Sequence, residues 1–443
     1  MRRARGFIDL VFDVVEETTN LVERIHDAAV QRTVRRFAPV EPAKTTAKLV
    51  TNIQTAISSG VFESIRVVNE IVRLGVNTAA DAAETELGRA VDLEVSELVT
   101  PIDATAAGTA SWVIDHAQSS INGFWGDHLR RRNHKLAIDM TFRHDGRRLP
   151  ATREAFMAAF PNPTPRVCVF VHGLAATEWL WSLASDRHYD APNVTFGTRL
   201  REDLQYTPVY IRYNSGRHVS ENGRLLAERL TELLDAYPVP VEEIALVGHS
   251  MGGLVARSAA HYAREHDESW VGLLRHVACI GSPHLGAPLE KAVNLLTGFL
   301  RKVDAAGADV PADLLNARSS GIKDLRHGYT LDEEWTGKDP DAVFADARRN
   351  VPLVDGVGYY FVAATISRDL EHPVGELLGD LLVRLPSASG HAPEPAQRIP
   401  FRGGAFVPGM NHVHLANHPD VYAALRGLLG AQPARRPTDA PFR

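Results

Sequence analysis

The first 75 residues hold two long stretches in which apolar positions recur three or four apart. In the first, Phe7, Val11, Val14, Leu21, Ile25 and Ala28 share a face, with Thr18 filling the polar slot; this spacing predicts an amphipathic helix. In the second, Val50, Ile53, Ile57, Ile65, Val68 and Ile71 repeat the pattern, and Pro39 and Pro42 stand between the two, so a helical hairpin is expected. Residues 76–133 are rich in Ala, Thr and acids, with a further amphipathic piece around Trp112, Val113, Ala117, Ile121 and Trp125. Residues 1–133 therefore read as a helical N-terminal region. Its apolar faces need a cover, and packing within the protein is favoured over a second copy or a lipid surface. The acids Asp9, Asp13, Glu16, Glu17 and Glu23 deprive the first helix of the basic polar face that a surface helix uses.

The period changes near residue 135. Residues 135–142 alternate and lead into Asp145-Gly146, which predicts a strand and a tight turn. Short β-branched runs follow at 167–171, 208–213, 244–247, 276–280 and 359–365, each of a length and composition that suits a strand buried on both faces. Helical patterns at 222–236, 251–264 and 419–429 alternate with them. Such alternation predicts an α/β class domain over residues 134–430, a mostly parallel sheet flanked by helices. Residues 288–350 are too long for a connection and read as a helical insertion covering a site, as a lid. Residues 386–400 read as a surface loop and 431–443 as a disordered tail.

Composition narrows the function classes. The chain has 443 residues, 44% hydrophobic and 23% charged, with a net charge of −6, so it is neither disordered nor broadly cationic, and no nucleic-acid partner is expected. Cys168 and Cys279, the two cysteines, sit in apolar runs and read as reduced core thiols. No run of 18 apolar residues exists, so no spanning helix is expected. The basic start is interrupted by Asp9 and Asp13 and reads poorly as an export signal. A cytoplasmic protein is expected, with peripheral membrane contact left open. The histidines show neither H-x-x-E-H nor H-E-x-x-H spacing, and neither metal nor cofactor is expected.

Chemistry enters after the run 244–247, where Gly248-His249-Ser250-Met251-Gly252 opens a helical segment. This is G-x-S-x-G in its strand-turn-helix setting, and it makes Ser250 the candidate nucleophile. A serine hydroxyl needs a base, and a tetrahedral oxyanion needs N–H donors. The run 167–171 ends in His172-Gly173-Leu174, so the N–H groups of Leu174 and Met251 are the candidate oxyanion hole. Residues 409–419 offer His412, His414 and His418, one of which should be the base. Asp380 is a lone acid in the apolar stretch 377–383 and the candidate partner of that histidine, with Asp369 as the substitute. Gly173, His249 and His284 are candidates for contact with substrate. Trp179 and Trp181 suit either an acyl pocket or the core.

Residues 167–429 resemble bacterial lipases and esterases of the α/β-hydrolase superfamily, in particular the group similar to the GPI inositol-deacylase catalytic domain. The matching pieces are VFVHGL (169–174), YNSG (213–216), VGHSMGGLVAR (247–257), GSPHLGAP (281–288), GDLLV (379–383) and GMNHVHLANHP (409–419). Leu381 stands where many relatives carry a second glycine after the acid. The resemblance implies an α/β-hydrolase fold with Ser250 as nucleophile, Asp380 as acid and His412 as base. The expected activity is hydrolysis of a small-molecule ester or lipid. The alternatives are an acyltransferase using the same acyl-enzyme, or a non-catalytic lipid-binding protein of the same fold.

Overall fold

The computed structural model describes residues 106–287, 319–338, 347–368, 379–380 and 382–431. The expectations for the N-terminal hairpin, the opening of the 288–350 insertion, Asp369 and the C-terminal tail lie outside them. Residues 118–289 and 318–443 form one compact unit; of the other, residues 1–117 and 290–317, only helical positions 106–117 are described.

Helix α1 (Ala106–Arg131) precedes an antiparallel hairpin of β1 (Thr141–His144) and β2 (Arg147–Leu149). Then follow β3 (Arg166–Val171), α2 (Phe196–Leu204), β4 (Thr207–Arg212), α3 (Val219–Ala236), β5 (Glu243–His249), α4 (Met251–Glu265) and β6 (Leu274–Ile280). After these come α5 (Ser320–His327), α6 (Asp332–Trp335), β7 (Gly358–Thr365), β8 (Gly403–Pro408) and α7 (Pro419–Gly430). The eight strands form one sheet in the order β2-β1-β4-β3-β5-β6-β7-β8, parallel from β4 to β8.

Strand alternation divides the core in two. Val167, Val169, Val171, Ile244 and Leu246 point to one face, where Leu226, Leu230 and Leu233 of α3 and Leu254, Val255 and Ala259 of α4 cover them. Cys168, Phe170, Ala245 and Val247 point to the other, under Phe196 and Leu200 of α2 and Val421, Leu425 and Leu429 of α7. Both faces are thus dry, which is why these strands read as continuous apolar runs. Both cysteines are buried and unpaired, and burial pushes the Cys279 thiol up to about 12. This is the α/β-hydrolase architecture, and none of the described helices is long and apolar enough to cross a membrane.

Two local expectations are corrected, and one strand is added. The alternating residues 135–140 do not join the sheet. Their main chain bonds instead to the α1 side chain of Asn122, whose Oδ1 accepts from Ile138 N–H at 2.9 Å and whose Nδ2 donates to the Leu136 carbonyl at 2.7 Å. Residues 386–400 are not simply a surface loop. The helical turn Leu385–Ala388 buries Ser387 and Ala388, and Ser387 Oγ donates to the Gly286 carbonyl at 2.7 Å. Strand β8 went unpredicted because Gly403-Gly404-Ala405 presents almost no side chain to form a pattern.

Candidate active site

In open α/β sheets ligands bind beyond the carboxyl ends of the strands, and the candidate residues gather there. Ser250 forms the turn between β5 and α4 with φ 53° and ψ −122°, a backbone strain that a non-glycine residue adopts only where its surroundings enforce it. Its N–H donates to the Ile280 carbonyl at the end of β6, 2.8 Å away, which pins the turn. The close approach also fixes Gly252, where a Cβ would stand 2.1 Å from the Val171 carbonyl oxygen at the end of β3. Ser250 is partly exposed, whereas the strand beneath it is buried.

Asp380 and His412 meet beside the end of β7. Ile366 N–H donates to the Gly379 carbonyl at 2.9 Å, Met410 N–H to the Thr365 carbonyl at 2.9 Å, and His412 N–H to the Asp380 carbonyl at 3.0 Å. The side chains complete the link, with His412 Nδ1 2.7 Å from Asp380 Oδ2. A carboxylate can only accept, so Nδ1 carries the hydrogen and Nε2 is left as the basic nitrogen. Asp380 Oδ1 is held in turn by the N–H groups of Leu382 at 3.1 Å and Val383 at 2.8 Å. Both side chains are buried, so the acid is compensated by three donors. His249, next to the nucleophile, donates through Nε2 to the His412 carbonyl at 2.9 Å, and the two rings lie 4.9 Å apart. That contact joins the serine turn to the histidine loop. Burial and the neighbouring His412 depress His249 to about 3, so it is neutral near pH 7.

The loop after β3 is braced from several sides. His172 Nδ1 donates to the Gly173 carbonyl at 2.8 Å, while its ring stacks on Tyr213 at 4.4 Å and its carbonyl accepts from the Tyr213 hydroxyl. Ala175, at φ 55°, donates its N–H to Ser215 Oγ at 2.9 Å, and Ser119 of α1 donates its hydroxyl to the Ala176 carbonyl. Beyond it the buried carboxylate of Glu178 takes Arg212 Nε at 2.7 Å and Nη2 at 2.5 Å. Gly173 lies against Ser250, since a Cβ there would stand 3.0 Å from the serine Cβ. Leu174 follows Gly173, and Met251 follows Ser250 as the first residue of α4, where a first-turn N–H has no intrahelical partner.

The other candidates fall elsewhere. His284 is buried against Arg257 of α4 and the ring of Phe401. His414 lies with His188 and His418, and burial and His418 lower its proton affinity. Trp181 belongs to the core against Phe170. Sequence reasoning gave no role to Ser119, Gly123 or Ser215. The YNSG segment was visible, but nothing in it says that a hydroxyl at 215 braces residue 175. Among the described residues, no group of three or more His, Cys, Asp or Glu is placed to hold a metal ion.

None of the curated proteins matches the chain. Among solved structures, the lipase BlEst2 from Bacillus licheniformis is 19% identical, over 60% of this chain and 94% of that one, with a TM-score of 0.38. The RedJ thioesterase from the prodiginine biosynthetic pathway in Streptomyces coelicolor is 18% identical, over 62% and 99%, with a TM-score of 0.31. Phospholipase PlaB from Legionella pneumophila is 14% identical, over 59% of each chain, with a TM-score of 0.35. Residues 163–344, which include Ser250 but neither Asp380 nor His412, are similar to the PGAP1-like alpha/beta domain family.

Proposed function

We propose that this chain is a serine hydrolase that cleaves carboxylic esters of lipid or other apolar acyl groups. The observation that carries the reading is the 2.7 Å bond between buried Asp380 and His412, tied through His249 to the strained Ser250 turn. Ser250 Oγ attacks the ester carbonyl and its proton passes to His412 Nε2. Asp380 keeps the imidazole in the tautomer that can accept it. The N–H groups of Leu174 and Met251 hold the oxyanion, and the alcohol leaves with the proton returned by His412. Water then repeats the sequence on the acyl-enzyme, restoring Ser250 and releasing the acid.

The test is labelling by a fluorophosphonate together with turnover of p-nitrophenyl esters of increasing chain length. The expected result is a single modified serine at position 250, with turnover lost in Ser250→Ala. Labelling of a different serine, or near-normal turnover by the alanine variant, overturns the reading.

A further inference from the structure

Behind the nucleophile helix lies a second concave site that includes none of the residues assigned to ester cleavage. Arg257, His284, Thr330, Glu334, Arg348 and Val351 line it, and Arg349 and Asn350 stand at its rim. The cavity offers about 30 Å³ of space and opens to solvent at its rim.

Arg257 is 6% exposed and His284 3%. The guanidinium Nη1 donates to His284 Nδ1 at 3.1 Å. Since an arginine can only donate, Nδ1 is the acceptor and Nε2 of His284 carries the hydrogen. Two buried donors are then left over, Arg257 Nε–H and His284 Nε2–H, neither with a hydrogen-bond partner. The cavity's carboxylate does not answer them. Glu334 Oε2 accepts from the N–H groups of Thr330 at 2.5 Å and Leu331 at 2.7 Å, and Oε1 from that of Arg349 at 2.7 Å. Among the described residues, no carboxylate forms an ion pair with Arg257.

A guanidinium stays charged at any accessible pH, and burying it with no carboxylate in hydrogen-bond contact carries a desolvation penalty that the field of nearby Glu334 opposes only at a distance. Burial and the adjacent arginine hold His284 neutral, so it adds no second positive charge beside the guanidinium. Arg349 adds a second guanidinium at the rim, and Glu334, already engaged by three N–H groups, is the one carboxylate among the lining residues. We infer that this cavity binds a small oxyanion of the phosphate type, whose oxygens accept from Arg257 Nε–H and His284 Nε2–H. The phosphate is either free in solution or the headgroup of a lipid.

The full chain would be titrated with inorganic phosphate, and with sodium chloride at matched ionic strength, while the thermal midpoint and the binding heat are followed. The expected result is a saturable rise in midpoint with phosphate that chloride does not give. Arg257→Met should weaken phosphate binding at least tenfold and, in phosphate-free buffer, melt no lower than the parent, since the variant no longer buries an unmatched charge. His284→Phe, which keeps the guanidinium, should weaken binding less than Arg257→Met; it also supplies the reading if the methionine variant does not fold. Dihexanoyl phosphatidic acid below its micellar concentration separates the sources. At least tenfold tighter binding than inorganic phosphate identifies a headgroup, and equal binding identifies the free anion. No phosphate-specific shift in the parent, or an undiminished shift in both variants, overturns the inference.

Discussion

A Cβ placed on Gly123 would stand 2.6 Å from the Cβ of Ala175, so α1 and the loop after β3 meet with no room for a side chain between them. The helix thus sets how far that loop can move away from Ser250. Gly123→Val is expected to displace the loop and lower kcat by about 100-fold, the scale of losing one oxyanion donor, with a smaller change in KM. Steady-state kinetics on a soluble ester checks this, and unchanged kcat in a folded variant would separate the helix from the reaction.

Ser215 acts on the same loop through its 2.9 Å bond to Ala175 N–H. Ser215→Ala removes one neutral hydrogen bond, which is worth about 1 kcal/mol of stability. The expected kinetic signature is a fall in kcat of about tenfold with KM nearly constant, partly restored by Ser215→Thr. Equal losses in the alanine and threonine variants would point to packing instead.

Among the clustered histidines, His412 bonds to Asp380 whereas His414 sits with His188. Alanine at 412 should reduce kcat by several orders of magnitude, and alanine at 414 far less, because members of one proton-transfer unit fail together. Parallel measurement of the two variants decides; the reverse ranking would move the base to position 414.

Stability should fall in mild acid. Burial holds His249 at about 3 and His276 at about 4, against an ordinary value of 6.5. Between these values the unfolded chain binds more protons than the folded one, so stability is full above pH 6.5 and drains away as pH falls toward 4 and then 3. Each unit of displacement is worth about 1.4 kcal/mol. Urea midpoints measured from pH 7 to pH 4.5 should decline, and His276→Gln should flatten the decline. A flat profile in the parent would contradict the burial of both rings.

The Glu178–Arg212 pair is buried on both sides, with side-chain exposures of 5% and 3%. Glu178→Leu removes the bidentate carboxylate from a buried guanidinium and should cost about 3–5 kcal/mol in denaturant unfolding. A loss below 1 kcal/mol would mean that other contacts of the arginine replace the carboxylate.

The central sheet was legible because β3, β5, β6 and β7 are dry on both faces and therefore spell unbroken apolar runs. Helix α3 was legible for the complementary reason, as it buries one stripe, whereas α4 is buried nearly all round and was marked by the motif that opens it. Strand β8 and the turn Leu385–Ala388 were not, since glycine, alanine and serine satisfy burial without raising hydrophobicity. In the candidate site, Ser250 was marked by its glycines, and Asp380 and His412 by motif resemblance. The bracing by Ser119, Gly123 and Ser215 left no trace in the pattern, because small side chains act there through contacts between residues 40 to 57 positions apart.

Strand β8 borders the sheet, paired among the described strands to β7 alone, and three residues, Gly409 to Asn411, link it directly to His412. Opening an edge takes less free energy than melting the centre. On heating, the imidazole would lose its alignment while the inner strands still hold, so inactivation would set in below the melting temperature. Cooling would re-pair the edge, and a warmed sample would regain activity without passing through the unfolded state.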